Sequence, residues 1–67
     1  MKQEYKIEFV SKDGIVAATE VLKAVVIDEA ERRARLQLQK LGMFLAKVLV
    51  RASVAAVVTE YNIITYA

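Results

Sequence analysis

The sequence predicts an α+β fold of one domain, residues 1–67, in which a four-stranded, mostly antiparallel sheet carries one helix on one face. Three observations predict this fold. Residues 3–11 alternate between apolar and polar side chains, an apolar repeat of helical period lies between Asp28 and Gly42, and β-branched residues dominate from Met43 onward. The predicted order of elements is therefore ββαββ.

The first two strands are predicted to form a hairpin around the triplet Lys12-Asp13-Gly14. Asp tolerates turn geometry and Gly adopts positive φ without a steric cost, so this triplet favours a tight connection. We expect a three-residue loop, because its register sets Lys6 opposite Glu20. A two-residue loop, which would set Ile7 against Glu20, is the disfavoured alternative.

The second strand, from Ile15 to about Val26, is apolar on both of its faces. One face carries Val16, Ala18, Leu22 and Ala24, and the other carries Ile15, Ala17, Val21 and Val25. One helix can cover only one side of a single-layer sheet. The other side of the sheet stays exposed although it is apolar. We therefore predict a homodimer, in which a second chain covers that side.

The helix is predicted to begin at Asp28, with Glu31 reaching back as a capping box, and to end at Gly42 in a left-handed backbone conformation. An apolar stripe along it begins with small side chains, so we expect the helix to lie close to the sheet. The stripe consists of Ala30, Ala34, Leu38 and Leu41.

The charged side chains of the helix are predicted to pair with one another rather than to form a nucleic-acid surface. Acidic residues precede basic ones by four positions, which is the favourable order on a helix. The expected pairs are Asp28 with Arg32, Glu29 with Arg33, and Glu31 with Arg35, which leaves Lys40 without a partner.

A third strand is predicted from Met43 to about Arg51, and a fourth from Val54 to Tyr66. The segment between them contains none of the usual turn residues, so a turn, a bend and a short helical piece over residues 50–56 stay open.

The order of elements, with Tyr5-Lys6-Ile7 at its start and Thr19-Glu20-Val21 leading towards the helix, resembles the β-grasp immunoglobulin-binding domains of streptococcal protein G. The last hairpin lacks that family's Trp and its Asp-rich turn, so the resemblance implies antibody binding for no residue. In size and layout the chain also resembles small phage-encoded inhibitors, including some anti-CRISPR proteins, and this resemblance implies an inhibitor or adaptor.

Composition argues against catalysis, cofactors and membrane insertion. The chain has no His and no Cys, which removes the usual general bases, zinc ligands and disulfides. Its two glycines, Gly14 and Gly42, are too far apart for a phosphate-binding loop. Lys47 and Arg51 interrupt the longest apolar stretch, and the first ten residues do not have the pattern of a secretory signal. We therefore expect a cytoplasmic protein that is not an enzyme.

The function that these observations favour is a small protein-interaction module that self-associates through its sheet and binds a protein partner of unknown identity. The candidate interface residues are Val10, Leu22, Leu36, Leu45 and Leu49. A nucleic-acid-binding module is the alternative, since basic and aromatic side chains contact phosphates and bases. Its candidate residues are Arg32, Arg33, Lys40, Lys47, Arg51 and Tyr61. A structural or engineered scaffold is a third possibility.

Overall fold

The computed structural model describes residues 1–66 and shows an α+β fold with one helix and a five-stranded sheet. The strands are β1 (Gln3–Val10), β2 (Val16–Ala24), β3 (Leu45–Val50), β4 (Ser53–Thr59) and β5 (Ile63–Thr65), and the helix α1 spans Ile27–Leu41. Their order across the sheet is β2-β1-β3-β4-β5, and every neighbouring pair is antiparallel. The predicted succession ββαββ therefore holds as far as β4, and β5 follows it at one edge of the sheet.

The β1–β2 hairpin combines the predicted loop with an unpredicted shift of register. The Ser11 amide donates to the Ile15 carbonyl at 2.9 Å, as a three-residue loop requires. A bulge between Phe9 and Val10 then moves the register by one residue. Ile7 therefore lies opposite Glu20, and the expected pairing of Lys6 with Glu20 is wrong.

The helix has its N-cap two residues earlier than predicted, at Val26 rather than Asp28, and it has no side-chain cap. Val26 occupies the N-cap position and makes no capping hydrogen bond through its side chain, so the predicted Asp28–Glu31 capping box does not form. The Glu31 carboxylate instead accepts a hydrogen bond from the Thr65 hydroxyl at 2.5 Å, which ties α1 to the edge strand β5.

The C-terminal end of the helix is as predicted. Gly42 has φ 65°, in the left-handed region, where glycine lacks the Cβ clash of other residues. The amides of Gly42 and Met43 both donate to the Leu38 carbonyl, which satisfies a backbone acceptor that the helix end would leave free.

A two-residue turn resolves the open segment between β3 and β4. Val50 lies opposite Ser53, and the turn residues Arg51 and Ala52 have φ values of 51° and 68°. Two consecutive positive φ values are the signature of a type I′ hairpin turn, whose usual sequence is Asn-Gly. The conformation costs an L-residue about 1–2 kcal/mol, so this turn is strained.

We expect the double substitution R51N/A52G to raise the free energy of unfolding by about 1–2 kcal/mol, because Asn and Gly accept the left-handed conformation. Urea denaturation followed by circular dichroism measures the change. As a control, Ala18→Gly in β2, which pairs with Phe9, should lower stability by about 0.5–1 kcal/mol, since its φ is not positive and glycine adds chain entropy to the unfolded state. A lower urea midpoint for R51N/A52G than for the wild-type chain would show that the turn is not strained.

The predicted fourth strand is in fact two strands, β4 and β5, joined by a turn over Glu60–Asn62. The Asn62 amide donates to the Thr59 hydroxyl at 3.0 Å, and the Thr59 amide donates to the Asn62 carbonyl at 2.8 Å. These two hydrogen bonds close the turn without Gly or Pro. The prediction of four strands is therefore wrong by one short edge strand.

The core lies between α1 and one face of the sheet. Its largest fully buried side chains are Phe9, Ile7, Leu38, Val48 and Val58. Small buried residues lie between them on both layers, namely Ala30 and Ala34 on the helix and Ala46 and Ala56 on the strands. These alanines let the helix backbone approach the sheet closely, as predicted, whereas Leu41 is exposed instead of completing the stripe.

Candidate functional site

The uncovered face of the sheet is the side opposite α1, and the alternation of each strand defines it. On β1, the buried Tyr5, Ile7 and Phe9 belong to the core, so Lys6 and Glu8 between them point to the other side. Residues opposite these two in the neighbouring strands share their direction. Within residues 1–66 no element packs on this face. The one helix, α1, packs on the opposite face, which forms the core.

One half of the uncovered face, over β3, β4 and β5, is mostly aliphatic. Leu45 and Leu49 project from β3, Val54 and Val57 from β4, and Ile64 from β5. Leu45, Leu49 and Val57 are half-buried by their neighbours, whereas Val54 and Ile64 are exposed.

The other half of the face, centred on β1, is charged. Glu4, Lys6 and Glu8 alternate in sign along β1, with 3.7 Å between the Lys6 ammonium and the Glu8 carboxylate. Lys47 on β3 lies opposite Glu8 in the register, and Lys23 on β2 lies opposite Glu4. Basic and acidic side chains are thus neighbours across the strands.

The five predicted interface residues fall in three places. Val10, Leu45 and Leu49 lie on the uncovered face, although Val10 is itself almost fully buried there. Leu22 lies on the covered side, opposite Tyr5, and packs against the core. Leu36 is exposed on the helix, two residues from the buried Ala34 and Leu38, and so points away from the sheet.

Sequence reasoning missed Val54, Val57 and Ile64 as members of this face. The period-2 alternation that begins at Leu45 could have found Val57, had the turn at Arg51-Ala52 been recognised. The bulge between Val48 and Leu49 in the β3–β4 register, which brings Val54 opposite Leu49, has no signature in the sequence.

The residues of the nucleic-acid alternative do not form one surface. Arg32, Arg33 and Lys40 lie on the helix, and Lys47 projects from the uncovered face. Arg51 lies in the β3–β4 turn and Tyr61 in the β4–β5 turn, at opposite ends of β4. Nucleic-acid binding therefore stays a prediction whose residues lie on the helix, on the uncovered face and in two turns.

The charged side chains of the helix do not form the predicted pairs. Among residues 1–66, none of these pairs lies within salt-bridge distance. The Arg33 guanidinium donates to the Glu20 carboxylate on β2 at 2.6 Å. This hydrogen bond, aided by the charge of Glu20, raises the pKa of Arg33 above its usual value. The Arg32 guanidinium donates to the Asp28 carbonyl, and the buried Nε of Arg35 has no partner within the described chain.

A cleft of about 650 Å³ lies at the end of the molecule where α1 terminates. Its walls include the exposed aromatic rings of Phe44 and Tyr61, together with Lys12, Leu38, Gln39, Gly42, Met43, Thr59 and Glu60. These side chains offer apolar contacts, but they contain no pairing of a nucleophile with a base. Residues 1–66 also form no group of three or more acidic side chains that could hold a metal ion.

Within the described chain, no helix combines the length and the apolar character that crossing a bilayer requires. Comparison with family models, with curated proteins and with solved structures finds no match to this chain.

Proposed function

We propose that this protein is a non-enzymatic interaction module whose contact surface is the uncovered face of its sheet. The observation that carries the proposal is the aliphatic half of that face, where Leu45 and Leu49, on either side of Lys47, lie beside Val54, Val57 and Ile64. An antiparallel sheet that faces water on one side usually alternates cleanly between apolar and polar residues. A contiguous aliphatic surface is instead typical of a protein contact.

The composition of the face supports a protein partner. Aliphatic side chains lie on three neighbouring strands. Their burial against another surface lowers the free energy, because it removes them from water. The charged residues along β1 lie beside the aliphatic half and alternate in sign, so a protein surface of complementary charge can pair with them. Catalysis is not part of the proposal, because the chain has neither His nor Cys to act near neutral pH.

Thiol labelling tests whether a partner covers the face, since the chain has no cysteine of its own. We compare Val54→Cys, on the uncovered face, with Leu36→Cys, on the outer side of the helix. The replaced side chains are similarly exposed, at 41% and 46% respectively. Each variant is labelled with a maleimide under two conditions. The first is purified protein at about 10 nM, where micromolar complexes dissociate, and the second is a lysate of the source organism.

We expect equal rates for the two thiols in the dilute purified protein. In the lysate, Cys at position 54 should react at least about tenfold more slowly than Cys at position 36, because only the uncomplexed fraction reacts. Equal rates in the lysate would refute a contact surface at this face. Slow labelling of position 54 in the dilute protein would show that the chain itself hides the position, which would refute the proposal in another way.

A further inference from the structure

We propose that the occupant of the uncovered face is a second copy of this chain, packed sheet against sheet about a two-fold axis. This inference rests on the proposed function, and it adds the identity of the partner. Two properties of the face carry it: the area that it can bury, and the arrangement of its charges.

The available area suits a small homodimer. Four strands about 4.8 Å apart, each about seven residues long at about 3.3 Å per residue, cover roughly 450 Å² in projection. Counted on both copies this is roughly 900 Å² in projection, somewhat below the roughly 1,200 Å² at which standard interfaces begin. The side chains corrugate the face, so its accessible area exceeds the projection.

The charges of the face complement themselves under two-fold symmetry. An axis that runs along the strands between β1 and β3 places β1 of one copy over β3 of the other. Glu8 then faces Lys47 of the second copy, and this contact occurs twice, because Glu8 and Lys47 are directly opposite each other within one chain. Opposite charges that meet in this way fix the register of an interface and disfavour wrong partners.

The same axis sets one valine pair on each side of the charged centre, while Lys6 faces Leu49 and Ile64 on β5 faces no strand of the second copy. It places β2 over β4 of the second copy, so that Val21 faces Val54, since both lie level with Lys6 across the sheet. Val21 is otherwise an exposed valine beside a charged strand. Sheets that pack face to face in this manner are about 10 Å apart, with their inner side chains interdigitated.

Sedimentation velocity and light scattering test the dimer with the full chain at concentrations up to roughly 100 µM. We expect a mass of twice 7.5 kDa. Val54→Lys should weaken dimerisation by more than about tenfold, because it buries an unpaired charge. Leu36→Lys, which replaces a side chain of similar exposure on the helix, should leave the dissociation constant within about twofold. Circular dichroism establishes that both variants are folded.

A charge-reversal pair tests the axis. Glu8→Lys and Lys47→Glu should each weaken the homodimer by about tenfold, since like charges then face each other across the axis. An equimolar mixture of the two variants should form a heterodimer, because each lysine of the first chain meets a glutamate of the second. A mixture that associates no better than its components would overturn this axis.

The remaining outcomes separate the two proposals. A wild-type chain that stays monomeric, or a dimer that Val54→Lys leaves intact, would overturn the two-fold packing. If position 54 is nevertheless protected from labelling in the lysate, a different protein covers the face and the proposed function stands. Equal labelling of positions 54 and 36 in the lysate would instead refute the proposed function itself.

Discussion

Phe9→Ala should lower the free energy of unfolding by about 3–5 kcal/mol, which is the usual effect of removing a buried aromatic ring. Phe9 is 1% exposed and is among the largest fully buried side chains of the core. A domain of this size has a total stability of about 3–10 kcal/mol. The variant should therefore lie at or beyond the limit of folding at 25 °C, as measured by urea denaturation and by the dispersion of its amide NMR signals.

Phe44→Ala is the matched control for this substitution. It removes the same ring from a residue just before β3, where the side chain is 57% exposed. The expected loss of stability is below about 1 kcal/mol, as for most surface substitutions. If the two variants were equally stable, Phe9 would not lie in the core and the assignment of the two faces of β1 would be wrong.

The faces of β1 are the clearest example of what the sequence predicts by itself. Tyr5, Ile7 and Phe9 alternate with charged residues, so the period of the strand alone assigns them to one side, and all three are buried. Gly42 is a similar case, since its position after an apolar helical repeat predicts the end of α1. These features are local, and a short window of sequence contains their physical cause.

The features that the sequence does not predict depend on backbone conformations that oppose local preference. Arg51 and Ala52 carry no turn signal, yet the pairing of β3 with β4 holds both at positive φ. The bulge beside Phe9 is stabilised by the whole sheet rather than by a glycine. At Arg51 and Ala52 the free energy of tertiary packing exceeds the cost of about 1–2 kcal/mol per residue that the left-handed conformation imposes.

The candidate site was predictable in principle but not in its composition. That one helix leaves one face of the sheet uncovered follows from the number of elements, and the predicted interface residues Leu45 and Leu49 lie on that face. Leu22 does not, because the bulge reverses which residues of β2 face the helix. A one-residue shift exchanges the two faces of a strand, so the membership of a surface is known only when each register is known.

Leu38→Ala should lower the free energy of unfolding by about 2–5 kcal/mol and should loosen the helix from the sheet. Leu38 is 2% exposed, and the other fully enclosed apolar residues of α1 are Ala30 and Ala34, so it supplies most of the apolar volume that seats the helix. Leu and Ala have similar helix propensities, so the loss reports packing rather than helix formation. Leu36→Ala makes the same chemical change two residues away on the exposed side, and it should alter stability by less than about 0.5 kcal/mol. Urea titrations of the two variants compare one leucine with another on a single helix, and equal midpoints would mean that α1 does not pack through the face described.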